Sequence, residues 1–210
     1  MNTNALKQRI VFWEYQHSIG NEKTLSNCPF EQVREGLVIS HLLKPKMKIL
    51  EIGVGTGQAT KQMKKAGYHV SALDISLLAL YNVRDYCDKT YTIHQLSELP
   101  SDFFDLIICC NVVQHTPTAV LQNEIAECMR ALNSKGTFAI QFMSCGPVDD
   151  LGDVNSDLKE LGCYGRSIHF MERLFAENDG VCSIMSSAKV KINPVTGSHV
   201  FHVTKLNKDV

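Results

Sequence analysis

The sequence predicts an α/β protein with a doubly wound, mostly parallel seven-stranded sheet, helices on both faces and a C-terminal antiparallel hairpin. Three observations support this fold class. Strand-length apolar runs alternate with helical patterns from residue 45 onward, and a glycine-rich turn follows the first of these runs. The chain ends in two strand-like runs separated by Asn193-Pro194 and Gly197-Ser198. Strands that alternate with helices are typical of parallel sheets covered on both faces.

The composition fits a single ordinary globular domain. The chain has 210 residues, of which 44% are hydrophobic and 20% charged. Its net charge of −1 gives no broad basic face, which disfavours a nucleic-acid partner. The longest apolar runs, such as 103–110, are too short to span a bilayer, and the first residues lack a secretory signal pattern. We therefore expect a cytoplasmic protein with no membrane partner.

Eight cysteines and eight histidines raise the question of disulfides or a metal site. No C-x-x-C, H-x-x-x-H or H-E-x-x-H spacing occurs in the chain. We therefore predict free thiols in a reducing compartment and no metal. A homo-oligomer is compatible with the sequence, but no periodic stripe selects an interface.

The first 44 residues read as two helices outside the predicted sheet. Residues 5–17 place Leu6, Ile10 and Trp13 at helical spacing, and residues 30–43 form a second helical pattern. We interpret 1–44 as a helical lid of the same domain as 45–210, with Trp13 covering a bound ligand. The alternative is that Trp13 only anchors its helix.

The remaining elements follow one another with clear boundary signals. Ser76 and Thr116-Pro117 are expected to start helices, since Ser and Thr cap helices and proline favours the first turn. The predicted strands are 47–52, 68–74, 90–93, 103–110, 137–142, 181–192 and 199–206, and the helices after the first strand are 58–66, 76 onward, 116 onward and 169–177.

The stretch KILEIGVGTGQAT, Lys48–Thr60, is the strongest functional signal. Glu51 is followed by Gly53, Gly55 and Gly57, and glycines permit a sharp turn whose backbone a ligand can approach. A dinucleotide-binding fingerprint requires a third glycine at the sixth position, where this chain has Gln58. A nicotinamide-dependent oxidoreductase is therefore disfavoured, and a chance glycine turn is the other alternative.

This E-x-G-x-G-x-G pattern resembles motif I of the class I S-adenosylmethionine-dependent methyltransferases, and the element order over 45–206 resembles their fold. The resemblance implies that Glu51 and the three glycines bind S-adenosylmethionine. It also implies that Asp74, which ends the second strand, accepts hydrogen bonds from both ribose hydroxyls, and that Ile75 packs on the adenine. The alternative role for Asp74 is to cap a helix, for which Ser76 is better placed.

Two further segments add to the resemblance. His94–Pro100 is similar to the family's G-D-A-x-x-L-P loop, which implies that Gln95, in place of Asp, contacts the adenine amino group. The backbone N–H of Leu96 would then contact the ring. Asn111, after the fourth strand, would face the cofactor or the acceptor.

The resemblance also suggests which residues act on the acceptor. His115 is the first candidate for a general base, because the pKa of histidine lies near neutrality; the alternative is that it only orders the loop. Tyr164, Arg166 and His169 lie where related enzymes carry substrate contacts. Arg166 suits an acceptor carboxylate or phosphate, or else is solvated, and His169 is a second candidate base.

The resemblance implies a metal-independent methyltransferase acting on a small polar acceptor, either a sugar or a biosynthetic intermediate. No [DN]-P-P-[YFW] follows the fourth strand, which argues against adenine-N6 or glutamine-amide methylation. The fifth strand lacks the Asp-Asn ending of magnesium-dependent catechol-type enzymes. An RNA or protein methyltransferase is one alternative, and a catalytically silent cofactor-binding scaffold subunit is another.

Overall fold

A computed structural model describes residues 3–20, 27–144, 165–189 and 197–206. It contains a seven-stranded sheet in the order β3-β2-β1-β4-β5-β7-β6. The strands are β1 Lys48–Ile52, β2 His69–Asp74, β3 Lys89–Thr92, β4 Phe104–Cys109, β5 Leu132–Ser144, β6 Gly180–Lys189 and β7 Gly197–Lys205. The pairs among β1 to β5 are parallel, and β7 pairs antiparallel with both β5 and β6. The predicted fold class is therefore confirmed.

Helices cover both faces of the sheet. They are α1 Thr3–Ser18, α2 Phe30–Gly36, α3 Gln58–Lys65, α4 Leu77–Val83, α5 Thr118–Ala131 and α6 Ile168–Ala176. Short 3-10 helices span Arg84–Tyr86, Ile93–Glu98 and Val113–His115.

The central strands are apolar on both faces because helices pack against each side. Leu50 and Ile52 of β1 point into the core that contains α5 and α6, while Ile49 points into the core of α2 and α3. This burial on both sides explains the continuous apolar runs seen in the sequence.

The second helix is shorter than predicted. It ends at Gly36 in a Schellman motif, in which the N–H of Ile39 donates to the Arg34 carbonyl and that of Val38 to the Glu35 carbonyl. Val38 takes the left-handed conformation with φ 56°. The apolar residues after Gly36 therefore belong to a turn and not to a helix. Leu37 in this turn is buried, and its carbonyl accepts a hydrogen bond from His202 Nε2 at 2.7 Å.

The two predicted helix starts have different outcomes. Ser76 caps α4, since its hydroxyl accepts the Ala79 N–H at 3.1 Å, as predicted. The Thr116 cap is wrong: α5 begins at Thr118, and the Thr116 hydroxyl donates instead to the Val112 carbonyl at 3.2 Å. The proline at 117 places the start of the helix one residue later than the sequence suggested.

The sheet order determines where a ligand can bind. Because β2, β1 and β4 are parallel neighbours, their carboxyl ends meet at one edge. The connections leave β1 and β4 toward opposite sides, which creates a crevice of the kind that binds ligands in open α/β sheets.

Candidate functional site

A cavity of about 440 Å³ lies at this carboxyl edge, within the range of small-molecule sites, roughly 300–1,000 Å³. Residues from β1, β2, α1 and α5 and from the segment after β4 line it together. Seven of the residues singled out in the sequence are among them: Trp13, Gly53, Gly55, Asp74, Ile75, Asn111 and His115.

The glycine turn forms one wall of the cavity. Gly53, Gly55 and Gly57 all have positive φ, at 73°, 54° and 79°, a region that glycine enters without steric cost. A Cβ at Gly53 would lie 2.2 Å from a methyl group of Val112. Gly53 and Gly55 line the cavity, whereas Gly57 caps α3 behind it.

Asp74 lies buried at the end of β2 and faces the cavity. Its two carboxylate oxygens accept the backbone N–H groups of Val54 and Ser76, each at 2.8 Å. Burial raises the pKa of Asp74 to about 6, against the lowering effect of these backbone donors. Each oxygen can accept more than one hydrogen bond, so the carboxylate retains acceptor capacity for a diol.

Glu51 does not reach the cavity. It is buried beneath the glycine turn, where the hydroxyl of Thr60 on α3 donates to its carboxylate at 2.5 Å. Burial raises the pKa of Glu51 to about 8. Glu51 therefore ties the turn to α3 and borders only a separate space of about 20 Å³.

The structure does not bring Gln95 and Leu96 to the cavity either. The Gln95 side-chain oxygen accepts the Thr92 N–H at 3.0 Å in a capping box, and its amide group donates to Glu98 at 3.2 Å. Leu96 is buried in the core. Ile93, two residues earlier than Gln95, lines the cavity instead. The T-x-x-Q spacing of Thr92 and Gln95 was a readable signal for the capping box.

Helix α1 covers the cavity. Trp13 lines it and contacts His115, with ring centroids 5.0 Å apart and planes at 72°. Glu14 holds the helix in place, because its carboxylate accepts the Leu77 N–H at 2.5 Å and the Ser76 hydroxyl at 3.1 Å. His17 also lines the cavity, and burial lowers its pKa.

The candidate bases are placed very differently. His115 is half-buried in the cavity lining, at the end of the 3-10 helix that follows β4. His169 is exposed on α6 and does not line the cavity. Tyr164 lies outside the described residues.

Asn111 lines the cavity, and Arg166 lies behind its wall. Arg166 is not solvated: it is 1% exposed, and its guanidinium donates to the Thr116 carbonyl at 2.6 Å. It thereby fixes the loop that carries His115. Asn111 has φ 60°, and its N–H donates to the Gln141 side-chain oxygen at 3.2 Å.

Glu124 is a cavity residue that the sequence reasoning missed. It lies on α5, is 5% exposed and lines the cavity. Burial, followed by the nearby charge of Asp74, raises its pKa to about 7. A signal was present, since Glu124 occupies an inward position of the helix between Leu121 and Cys128, where an apolar residue is expected.

In the described parts of the chain, no cluster of three or more His, Cys, Asp or Glu side chains is arranged to hold a metal. No helix within the described ranges has the length and apolar character needed to cross a membrane. The six cysteines that the structure describes are unpaired.

Comparison with known proteins agrees with this geometry. Residues 50–140 match a family model described as a methyltransferase domain. The chain is similar to ubiquinone biosynthesis O-methyltransferases of Hahella chejuensis, with 28% identity over 94 residues covering 41% of this chain and 39% of the relative. It is also similar to that of Rickettsia prowazekii, with 20% identity over 200 residues covering 92% and 78%.

Solved structures show the same fold. Magnesium protoporphyrin IX methyltransferase from Synechocystis, with bound S-adenosylhomocysteine, superposes with a TM-score of 0.65 at 14% identity, covering 94% of this chain and 99% of the other. A putative sarcosine dimethylglycine methyltransferase from Galdieria sulphuraria gives 0.63 at 16% identity, covering 82% and 84%. Residues 50–140 therefore carry a methyltransferase domain, and the chain has the fold of the class I S-adenosylmethionine-dependent methyltransferases, a family whose cofactor is S-adenosylmethionine.

Proposed function

We propose that this protein transfers the methyl group of S-adenosylmethionine to a small polar acceptor, a sugar or a biosynthetic intermediate, without a metal. One observation carries the proposal: the glycine turn, Asp74, Asn111 and His115 border a single cavity. These residues come from three different strand ends, and the sheet order brings them together.

Residues of the cavity fit the parts of the cofactor. Asp74 supplies a buried carboxylate for the ribose hydroxyls, and Ile75 supplies an apolar surface for the adenine. Gly53 and Gly55 line the cavity, and the methionine portion is proposed to lie beside their backbone. When bound, the cofactor supplies an activated methyl group. The protein then has to align the acceptor with it, and alignment contributes up to about 7–11 kcal/mol.

The acceptor end is proposed to lie beneath α1, where Trp13, His17 and His115 line the cavity. His115 is the proposed general base, in an aromatic contact with Trp13. In this proposal α1 is a lid that excludes water. The similarity to ubiquinone biosynthesis O-methyltransferases favours a hydroxyl group as the methylated position.

An RNA or protein acceptor fits these observations less well. A polymer requires an open groove, whereas α1 partly closes this cavity. RNA also favours a basic surface, and the chain has a net charge of −1. A silent scaffold subunit would not require His115 in the cavity wall. A cytoplasmic location is part of this proposal, because the six cysteines that the structure describes are unpaired, two of them buried.

Calorimetric titration with S-adenosylmethionine, S-adenosylhomocysteine and NAD in parallel tests the cofactor. We expect binding of the two adenosyl ligands and none of NAD. The protein is then incubated with S-adenosylmethionine and panels of hydroxyl, amine and carboxyl acceptors, and release of S-adenosylhomocysteine is measured. Tight binding without turnover on any panel would favour the scaffold alternative, and failure to bind would refute the proposal.

A further inference from the structure

The side chain of Glu124 gives the cavity a buried carboxyl group that the proposed function has not used. Glu124 is 5% exposed, and within the described part of the chain no hydrogen bond to its carboxyl group is found. A buried carboxyl without a donor is costly. A ligand that brings a hydrogen-bond donor to this position would offset that cost.

Glu124 shares the cavity with residues at the ends of β2 and β3. Ile93 follows β3, Asp74 ends β2, and both line the cavity with Glu124. The charge of Asp74 acts on Glu124, so the two carboxyl groups lie near each other. The rest of the lining, which includes the glycine turn, Asn111 and Trp13, comes from the segments after β1 and β4 and from α1. If Asp74 holds the ribose, the base attached to that ribose comes close to Ile93 and Glu124.

The residue that the sequence favoured for the adenine amino group is engaged elsewhere. The Gln95 side-chain oxygen accepts from both the N–H and the hydroxyl of Thr92, at 3.0 and 3.2 Å. Turning it toward the cavity would break the capping box at the start of its 3-10 helix.

We propose that Glu124, and not Gln95, accepts a hydrogen bond from the exocyclic amino group of the adenine. This inference rests on the proposed function, since it requires an adenosyl ligand in the cavity. Ile75 and Ile93 supply apolar side chains for the faces of the base, and Glu124 supplies the acceptor at its edge. The carboxyl group can accept a hydrogen bond from an amino group in either protonation state, and the bond is stronger when the carboxyl group is ionised.

The test compares S-adenosylhomocysteine with S-inosylhomocysteine, whose base differs at the 6-position and in the hydrogen that it carries on the neighbouring N1. S-inosylhomocysteine carries a carbonyl group where S-adenosylhomocysteine carries the amino group. We expect the wild type to bind the adenosyl ligand at least tenfold more tightly, because a site built to accept a hydrogen bond rejects an analogue that lacks the donor. Calorimetry gives both dissociation constants.

Two variants remove the acceptor in different ways. Glu124→Leu should abolish the preference between the ligands, mainly by weakening the adenosyl ligand about tenfold or more. Glu124→Gln should narrow the preference, since an amide can accept from the amino group or donate to the carbonyl. Glu127→Gln is the matched control: it lies on the same helix, pairs with Arg130 and does not line the cavity. It should keep the wild-type preference.

The outcomes separate the inference from the proposed function. A Glu124→Leu variant that is folded by circular dichroism and keeps the preference would overturn the assignment. So would loss of the preference in Gln95→Ala but not in Glu124→Leu. Reduced turnover of Glu124→Leu with unchanged affinity for both ligands would place the carboxyl at the acceptor and contradict the adenine assignment. A wild type that binds no adenosyl ligand would refute the proposed function together with this inference.

Discussion

Asp74 carries two roles with one carboxyl group. It accepts backbone N–H groups from the glycine turn and from the start of α4, and it faces the cavity in which the ribose is proposed to lie. A substitution therefore acts on both stability and affinity, and only a conservative change can separate the two.

Asp74→Asn should weaken binding of S-adenosylhomocysteine about tenfold to a hundredfold, or roughly 1.5–3 kcal/mol, because the diol loses a charged acceptor. Calorimetry measures the change. Asp88→Asn serves as control, since Asp88 is exposed and pairs with Lys64 and His69 away from the cavity. A dissociation constant equal to that of the wild type would refute the ribose assignment.

His115→Ala should lower turnover about a hundredfold to ten-thousandfold, as expected for loss of a general base. The affinity for S-adenosylhomocysteine should stay within a few fold of the wild type. Steady-state kinetics on an accepted substrate and calorimetry supply the two readouts. His169→Ala is the matched control, since His169 is exposed on α6. Equal turnover of His115→Ala and the wild type would remove His115 as the base.

At the scale of elements, the glycine turn and the segment after β4 fit each other closely. A Cβ at Gly53 would lie 2.2 Å from a methyl group of Val112, so the two segments cannot both keep their places in a larger variant. Gly53 also has φ 73°, which adds a conformational cost of its own for any other residue.

Gly53→Ala should lower the melting temperature and weaken cofactor binding, through both the clash and the backbone conformation. Adding Val112→Ala should recover part of the loss, because it removes the clashing methyl group, while the cost of positive φ remains. Thermal unfolding and calorimetry on the single and double variants measure this recovery. Additive effects of the two changes would show that the close approach is not what excludes a side chain at residue 53.

Helix α1 is joined to α4 by Glu14, whose carboxylate meets the N–H of Leu77 and the hydroxyl of Ser76. Glu14→Ala should weaken cofactor binding severalfold and expose α1 to trypsin at Lys7 or Arg9. Glu31→Ala is the control, because Glu31 pairs only with Arg34 on the surface of α2. If the affinity and the cleavage rate of Glu14→Ala both match the wild type, α1 is not held by this contact.

At the scale of the whole molecule, the carboxyl groups of β1, β2 and α5 lie buried around one sheet edge. Burial raises the pKa of Asp74 to about 6, of Glu124 to about 7 and of Glu51 to about 8. Burial also lowers the pKa of His17, His199 and His202, which acts in the opposite direction up to about pH 6.5. Through the three carboxyl groups, the folded protein binds more protons than the unfolded chain between about pH 4 and pH 8. The stability that this protonation provides is complete below pH 4 and is lost as the pH rises through these values.

The ligand-free protein should accordingly become less stable from pH 7 to pH 8.5, above the range in which the histidines titrate, at up to about 1.4 kcal/mol per pH unit for each of Glu124 and Glu51. Urea unfolding across this range measures the slope. Glu51→Gln should make the slope shallower, because an amide does not ionise and can still accept from Thr60. Asp88→Asn should leave the slope unchanged, since the lowered pKa of Asp88 lies below this range. Constant or rising stability would contradict the prediction.

The fold class, the glycine turn and the strand end that carries Asp74 were predictable from the sequence, because they depend on apolar periodicity and on spacing within short segments. His115, from the family resemblance, and Trp13, from its helix outside the sheet, were named as candidates, and both line the cavity. Two predictions of helix ends were wrong for local reasons. The apolar spacing after Gly36 belongs to a turn, and the Thr116 hydroxyl donates to the Val112 carbonyl instead of capping a helix.

Which side chains share the cavity depends on contacts between remote segments. Arg166 was buried against the loop of His115, and Glu124 was turned inward to line the cavity with Asp74. These outcomes depend on how α1 and α5 pack across the strand ends, at separations of 50 residues or more along the chain. No local pattern encodes such distances, because proximity between remote segments is set by the order of strands in the sheet and by the packing of its helices.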